Sequence, residues 1–304
     1  MGSPEVRLRE EYLRLRASGI ALVRAGDHRR AAEEFGAALA LAKRLKDQAT
    51  EHEAQANLSM TWLQLGEDHK AEAGLREILL TSRNPRTRFG AAYNLAISQR
   101  KRGRYDRARF YAANAMESAR KLRDGSNRAA CHNLAGNILM NQGRLDEALA
   151  EYRKALRIRR RQKADTRFSV AILLENIGYT LLLKKRFRSG AGSIVRALEL
   201  AKEAGARRCE AECYQDLCYA WLRMGRYAAA SGFGEQALRI AEEYGYLDVT
   251  KNCHYLLGEA AHLDGRVEER ERHFGDLQKM HPEVPFLRDF LCSFDISEIL
   301  TLKR

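Results

Sequence analysis

Asn133, Asn137 and Asn141 stand four residues apart, so a helix carries all three on one face. A primary amide both donates and accepts, and a row of them matches the paired N–H and C=O groups of an extended peptide. That is recognition chemistry. The candidates for catalysis or metal binding are weaker. Cys209, Cys213, Cys218, Cys253 and His254 gather in one stretch, but no recognised ligand spacing joins them. Cys253 and His254 are sequence neighbours whose side chains diverge on a helix, which makes a poor nucleophile–base pair. Gly190-Ala191-Gly192-Ser193 has the composition of a phosphate-binding loop, yet it lies inside a helical pattern rather than after a strand. Neither a Gly-x-x-x-x-Gly-Lys-Ser/Thr loop nor a His-Glu-x-x-His motif occurs. The expectation is a non-enzymatic chain, with no cofactor and no metal ligand set.

The elements that hold these residues repeat. A short turn recurs at Gly26, Gly66, Gly103, Gly143, Lys185, Gly225 and Gly265, at steps of 40, 37, 40, 42, 40 and 40 residues. A fixed period of this size predicts a solenoid, whose units bury their apolar faces only against one another. In the fourth copy, Ala129–Asn141 and Leu145–Arg160 flank the turn. Their apolar residues recur at steps of three and four, the signature of two amphipathic helices. A small residue stands five past the turn glycine, at Ala31, Ala71, Ala108, Ala148 and Ala230, where two helices must approach closely. Cys131, Cys213 and Cys253 share one slot with Ala54 and Ala91, and Cys218 shares another with Gly19, Ser59, Ala96, Gly136, Gly178 and Gly258. These thiols therefore read as small packing residues in a reducing compartment.

Asn94-Leu95-Ala96, Gly103-Arg104-Tyr105, Ala108, Ala112 and Ala115 together resemble the tetratricopeptide repeat, and so do Leu134-Ala135-Gly136, Gly143-Arg144-Leu145, Ala148, Tyr152 and Ala155. The resemblance runs from about residue 12 to 282. The usual unit has about 34 residues, so these units are lengthened. In that they are similar to the repeats of kinesin light chain, of cell-polarity adaptors and of bacterial peptide- and signal-sensing regulators. Repeats five and seven depart from the pattern: Lys185 replaces the turn glycine, Gly190 replaces the alanine, and Arg270 stands where repeat seven should have one. The resemblance implies an all-α, right-handed α-solenoid superhelix of about seven helix–turn–helix units. They fill residues 1–282, near 5–48, 49–85, 86–124, 125–165, 166–205, 206–245 and 246–282. A different segment, 283–304, follows.

In this family the first helices line a concave face. The resemblance then places Tyr93, Asn94, Arg100, Lys101, Asn133, Asn137, Asn141, Asn176, Tyr179, Asp216 and Tyr219 toward a ligand, with tyrosine adding apolar area behind a polar tip. The plainer reading has each Asn bonding to a neighbouring helix. Residues 83–188 hold 26 Lys/Arg against 8 Asp/Glu, while the whole chain nets +13. Cations at a helix end complement its dipole, which accounts for the run Arg153–Lys163 but not for an excess across three repeats. An acidic partner is one inference from it. The leading expectation is a scaffold that binds an extended peptide or partner segment. The alternatives are nucleic-acid binding through the basic middle, for which no recognition helix or stacking platform is visible, and a peptide-sensing regulatory module.

In the last segment, Phe286, Leu287, Phe290 and Leu291 form an apolar stripe, and Asp295 and Glu298 have the spacing of a capping box. The segment reads either as a cap folded back on the last repeat, giving a mainly monomeric protein, or as a docking tail. No apolar run approaches the roughly 20 residues of a membrane helix, and the first residues lack the apolar core of a secretory signal. The chain is expected to be cytoplasmic.

Overall fold

A chain that reverses between two helices within a few residues needs one left-handed backbone position, which glycine supplies without strain. Gly26, Gly66, Gly103, Gly143, Gly225 and Gly265 all take it, with φ between +69° and +81°. At Gly103 the closing bonds are a Schellman pair: its N–H donates to the Arg100 carbonyl at 3.0 Å, and Arg104 N–H donates to that of Gln99 at 2.9 Å. Lys185 fills the same post at φ +58°, with Lys185 N–H to Leu182 O at 2.8 Å and Arg186 N–H to Leu181 O at 2.9 Å. The fifth turn is therefore the same turn, with a lysine held where an L-residue costs about 1–2 kcal/mol.

The computed structural model describes residues 3–162 and 165–293. Among the described residues there are fifteen helices and no strand. They divide into two compact units, Met1–Ile138 and Leu139–Arg304. The first holds α1 (Pro4–Arg24), α2 (His28–Leu45), α3 (Gln48–Gln64), α4 (Asp68–Thr81), α5 (Pro85–Lys101), α6 (Tyr105–Lys121) and most of α7 (Gly125–Asn141). From α1 to α6 each helix packs on the next, and α3 also touches α5. The second holds α8 (Leu145–Arg160), α9 (Arg167–Leu183), α10 (Phe187–Glu203), α11 (Arg207–Arg223), α12 (Tyr227–Tyr244), α13 (Leu247–Leu263), α14 (Val267–Met280) and the short α15 (Leu287–Ser293). Again successive helices pack, and α11 touches both α9 and α13. Each unit is an α-solenoid of helical hairpins.

The small-residue slots do what their size implies. Ala31, Ala71, Ala108, Ala148 and Ala230 have no exposed surface. In the fifth hairpin Gly190 stands in place of the alanine and faces Gly178. A Cβ on either would lie 2.9 Å from the other's carbonyl oxygen, so α9 and α10 meet backbone to backbone. Gly190-Ala191-Gly192-Ser193 thus belongs to a helix contact. Cys131, Cys213, Cys218 and Cys253 are buried free thiols, and burial pushes those of Cys131 and Cys218 up to about 12. Arg270 is half-buried and pairs with Glu271 at 2.7 Å.

The apolar stripe of the last segment is split. Leu291 is buried and Leu287 half-buried against the last hairpin, whereas Phe286 and Phe290 are exposed. Phe286 sits at φ +58°, and the Gln278 side chain fastens the segment by donating to Val284 O at 2.9 Å and accepting from Arg288 N at 3.2 Å. Seven helical residues give two inward leucines and leave the phenylalanines on the outer side. Asp295 and Glu298 lie outside the described residues, as does Lys163 of the basic run.

Candidate functional site

In the first unit, the candidate residues stand on α5 and α7, the first helices of their hairpins. Tyr93, Asn94 and Arg100 are half-buried and Lys101 is exposed. Tyr93 stacks on Phe89 with centroids 5.5 Å apart and packs beside Ala96, Ala108 and Leu134, so its ring is fixed in place. Asn94 donates to the Gly90 carbonyl of its own helix at 2.9 Å, which orients the amide. Asn133 and Asn137 are half-buried, one turn apart on α7. Both keep part of their surface exposed.

A carboxylate ties α5 to the hairpin before it. Glu72 on α4 is buried. It accepts from Ser98 Oγ at 2.9 Å and Gln99 Nε2 at 2.5 Å on α5, and it meets Arg76 at 2.9 Å and Arg102 at 3.5 Å. Arg102 also reaches Asp68 at 2.9 Å. The sequence reading missed this knot. Its one legible trace is a cation just before a turn facing an acid just after the preceding turn, as in Arg102–Asp68 and again in Lys184–Asp146.

In the second unit the same register behaves differently. Asn176, Tyr179 and Asp216 are buried on α9 and α11; Tyr219 and Asn141 are half-buried. Tyr179 is only 1% exposed, so its ring acts as packing between helices. Burial, and then the charge of Glu212, hold the Asp216 carboxyl well above the usual carboxylate range, opposed by a hydrogen bond from Gln215. Gln215 in turn accepts from Asn252 Nδ2 of α13 at 3.1 Å. Polar side chains here knit α11 to α13. Among the described residues no group of three or more His, Cys, Asp or Glu is placed to hold a metal ion, and no helix is long and apolar enough to cross a membrane.

The tetratricopeptide-repeat family model matches residues 88–161 and 128–203. No curated protein matches the sequence significantly. Among solved structures, the chain is similar to a Signal Transduction ATPase with Numerous Domains protein with a tetratricopeptide repeat sensor from Pyrococcus horikoshii. That match has 17% identity and a TM-score of 0.68, and it covers 98% of this chain but 46% of that one, so this chain spans just under half of that protein. A Rap protein complexed with Competence and Sporulation Factor is similar at 14% identity and a TM-score of 0.64, over 97% of this chain and 79% of that one. A tetratricopeptide repeat protein from Parabacteroides merdae is similar at 15% identity and a TM-score of 0.62, over 94% and 100% of the two chains. The family model thus identifies residues 88–203 as tetratricopeptide repeats, and the solved structures show that the rest of the chain shares the same fold of repeated helical hairpins.

Proposed function

We propose that the chain is a non-catalytic protein-interaction scaffold that holds an extended segment of a partner along the first-helix face of α5 and α7. The observation that carries this reading is the row of accessible amides and cations, Asn94, Arg100, Lys101, Asn133 and Asn137, on helices fixed by buried alanines and the Glu72 knot. The amides match a peptide backbone, and the two cations favour acidic side chains beside it. In the second unit, Asn176, Tyr179 and Asp216 serve to position helices, and Tyr219 and Asn141 are the residues with surface left for contact. The test is selection of binders from a displayed random-peptide library on the immobilised chain, followed by an Asn133→Ala/Asn137→Ala double change. Loss of about tenfold or more in affinity, or about 1.4 kcal/mol, with an unchanged circular dichroism spectrum supports the reading. Unchanged affinity removes this face from it.

A second reading, a ligand-sensing module, draws on two of the similar structures, one described as carrying a repeat sensor and one complexed with a factor. Small-angle scattering with and without a selected peptide separates the two: a sensor changes dimensions on binding and a rigid scaffold does not.

A further inference from the structure

A recess of the first unit lies between the second helices α4 and α6. It is open, has a volume of about 570 Å³, and is lined by Arg76, Asp106, Arg107, Phe110 and Tyr111. Its floor is apolar: Tyr111 packs on the core around Leu75 and Ile78, and Phe110 stands edge-on to it with centroids 5.3 Å apart. Phe110 is 63% exposed, and Leu80, one turn beyond Arg76 on α4, is 85% exposed. A folded chain gains nothing by leaving two such side chains in water beside a concave surface, and exposed apolar groups rimmed by charge mark interaction sites. The rim is cationic. Arg76 is held by Glu72 at 2.9 Å, whereas Arg104 and Arg107 are exposed and have no carboxylate partner among the described residues. The surrounding stretch, residues 83–123, contains 12 Lys/Arg against 2 Asp/Glu.

We infer that this recess is a second docking site, which takes a bulky apolar side chain of an acidic peptide segment: the side chain lies on Phe110 and Tyr111, and flanking carboxylates meet Arg107 and Arg104. The charge of the rim selects the acid, and the recess has room for one large side chain. A nucleic-acid strand fits less well. Asp106 lines the recess and Glu72 neutralises Arg76, so no continuous cationic track follows a phosphate backbone. The site is independent of the face on α5 and α7.

The test uses the full chain and a short fluorescein-labelled peptide of alternating glutamates and leucines with one central phenylalanine, read by anisotropy. The controls are its lysine-for-glutamate twin and a labelled single-stranded oligonucleotide. Arg107→Glu should weaken acidic-peptide binding by about tenfold, and Phe110→Ala should weaken it by about fivefold. Both sites are exposed, so the fold should survive either change, with circular dichroism as the check. Arg44→Glu, an equal change of charge on α2, should leave that affinity within about twofold. Three results overturn the proposal: Arg107→Glu binding like the unaltered chain, Arg44→Glu weakening it equally, or the oligonucleotide or the lysine twin binding as tightly as the acidic peptide.

Discussion

Gly190→Ala and Gly192→Ala are the same substitution two residues apart in one helix, and they should shift stability in opposite directions. In an open helical position the added methyl is worth about 0.5–1 kcal/mol, through lost freedom of the unfolded chain. Gly192 meets nothing within 4 Å and should gain that amount. A Cβ at Gly190 would lie 2.5 Å from Leu182 Cδ2 and 2.9 Å from the Gly178 carbonyl oxygen. The leucine can rotate away, but the carbonyl belongs to the α9 backbone, so relief requires the two helices to part. Overpacking of this kind costs about 1–3 kcal/mol, leaving Gly190→Ala destabilised by about 1–2 kcal/mol after the helical gain. Gly178→Ala should behave alike, since its Cβ meets Ile194 Cγ1 at 2.4 Å and the Gly190 oxygen at 2.9 Å. Urea unfolding followed by circular dichroism measures the difference. Because solenoids can unfold in parts, amide exchange in α9 and α10 gives the local value. If Gly190→Ala and Gly192→Ala stabilise together, the backbone contact does not govern this hairpin.

Three further outcomes follow from particular contacts. Arg272 Nη2 lies 3.1 Å from His273 Nε2, which makes that nitrogen the acceptor and leaves His273 Nδ1–H to donate to His254 Nδ1 at 3.2 Å. Burial first, then Arg272 and His254, lowers His273 from 6.5 to about 4. Burial also lowers His254, against Asp276 and Glu242. The unfolded chain then binds more protons below pH 6.5, so this pair's stabilisation is complete above that pH and is lost as pH falls toward about 4. His273→Gln should flatten that slope in urea titrations, and an unaltered slope contradicts the pairing. Glu72→Ala strands Arg76 and the buried Ser98 and Gln99 donors and should cost about 2–3 kcal/mol, below the usual 3–5 because Arg76 keeps some solvent and Arg102 keeps Asp68; a loss under about 0.5 kcal/mol would show the knot to be idle. Lys185→Gly should raise stability by about 1 kcal/mol by relieving the left-handed lysine, and a lowered denaturation midpoint would contradict the strain.

The hairpins were legible because the turn is local and recurs seven times, on glycine in six copies and with alanine five residues on in five, so each copy confirms the register of the others. Gly190 was read as a departure from that register, since its reason lies in Gly178 on the facing helix, and no periodicity reports a pair. For the site, helical spacing placed Asn94, Asn133 and Asn137 on their helices, but it carries no information about depth. Asn176, Tyr179 and Asp216 occupy related register positions and are buried on α9 and α11, where α11 packs against both α9 and α13. The Glu72 knot and the Phe110 recess were missed for a related reason. Each is assembled from residues 26 to 35 positions apart, with no spacing rule to join them.

Hydrogen exchange on the full chain, with and without a library-selected peptide, tests the scaffold reading most directly, because it reports which helices a bound segment covers. The expected result is slowed exchange in α5 and α7 around Asn94, Asn133 and Asn137, with α2 and α12 unchanged. Protection confined to α4 and α6 would assign partner binding to the recess alone, and protection nowhere on α5 or α7 would contradict the scaffold reading of that face.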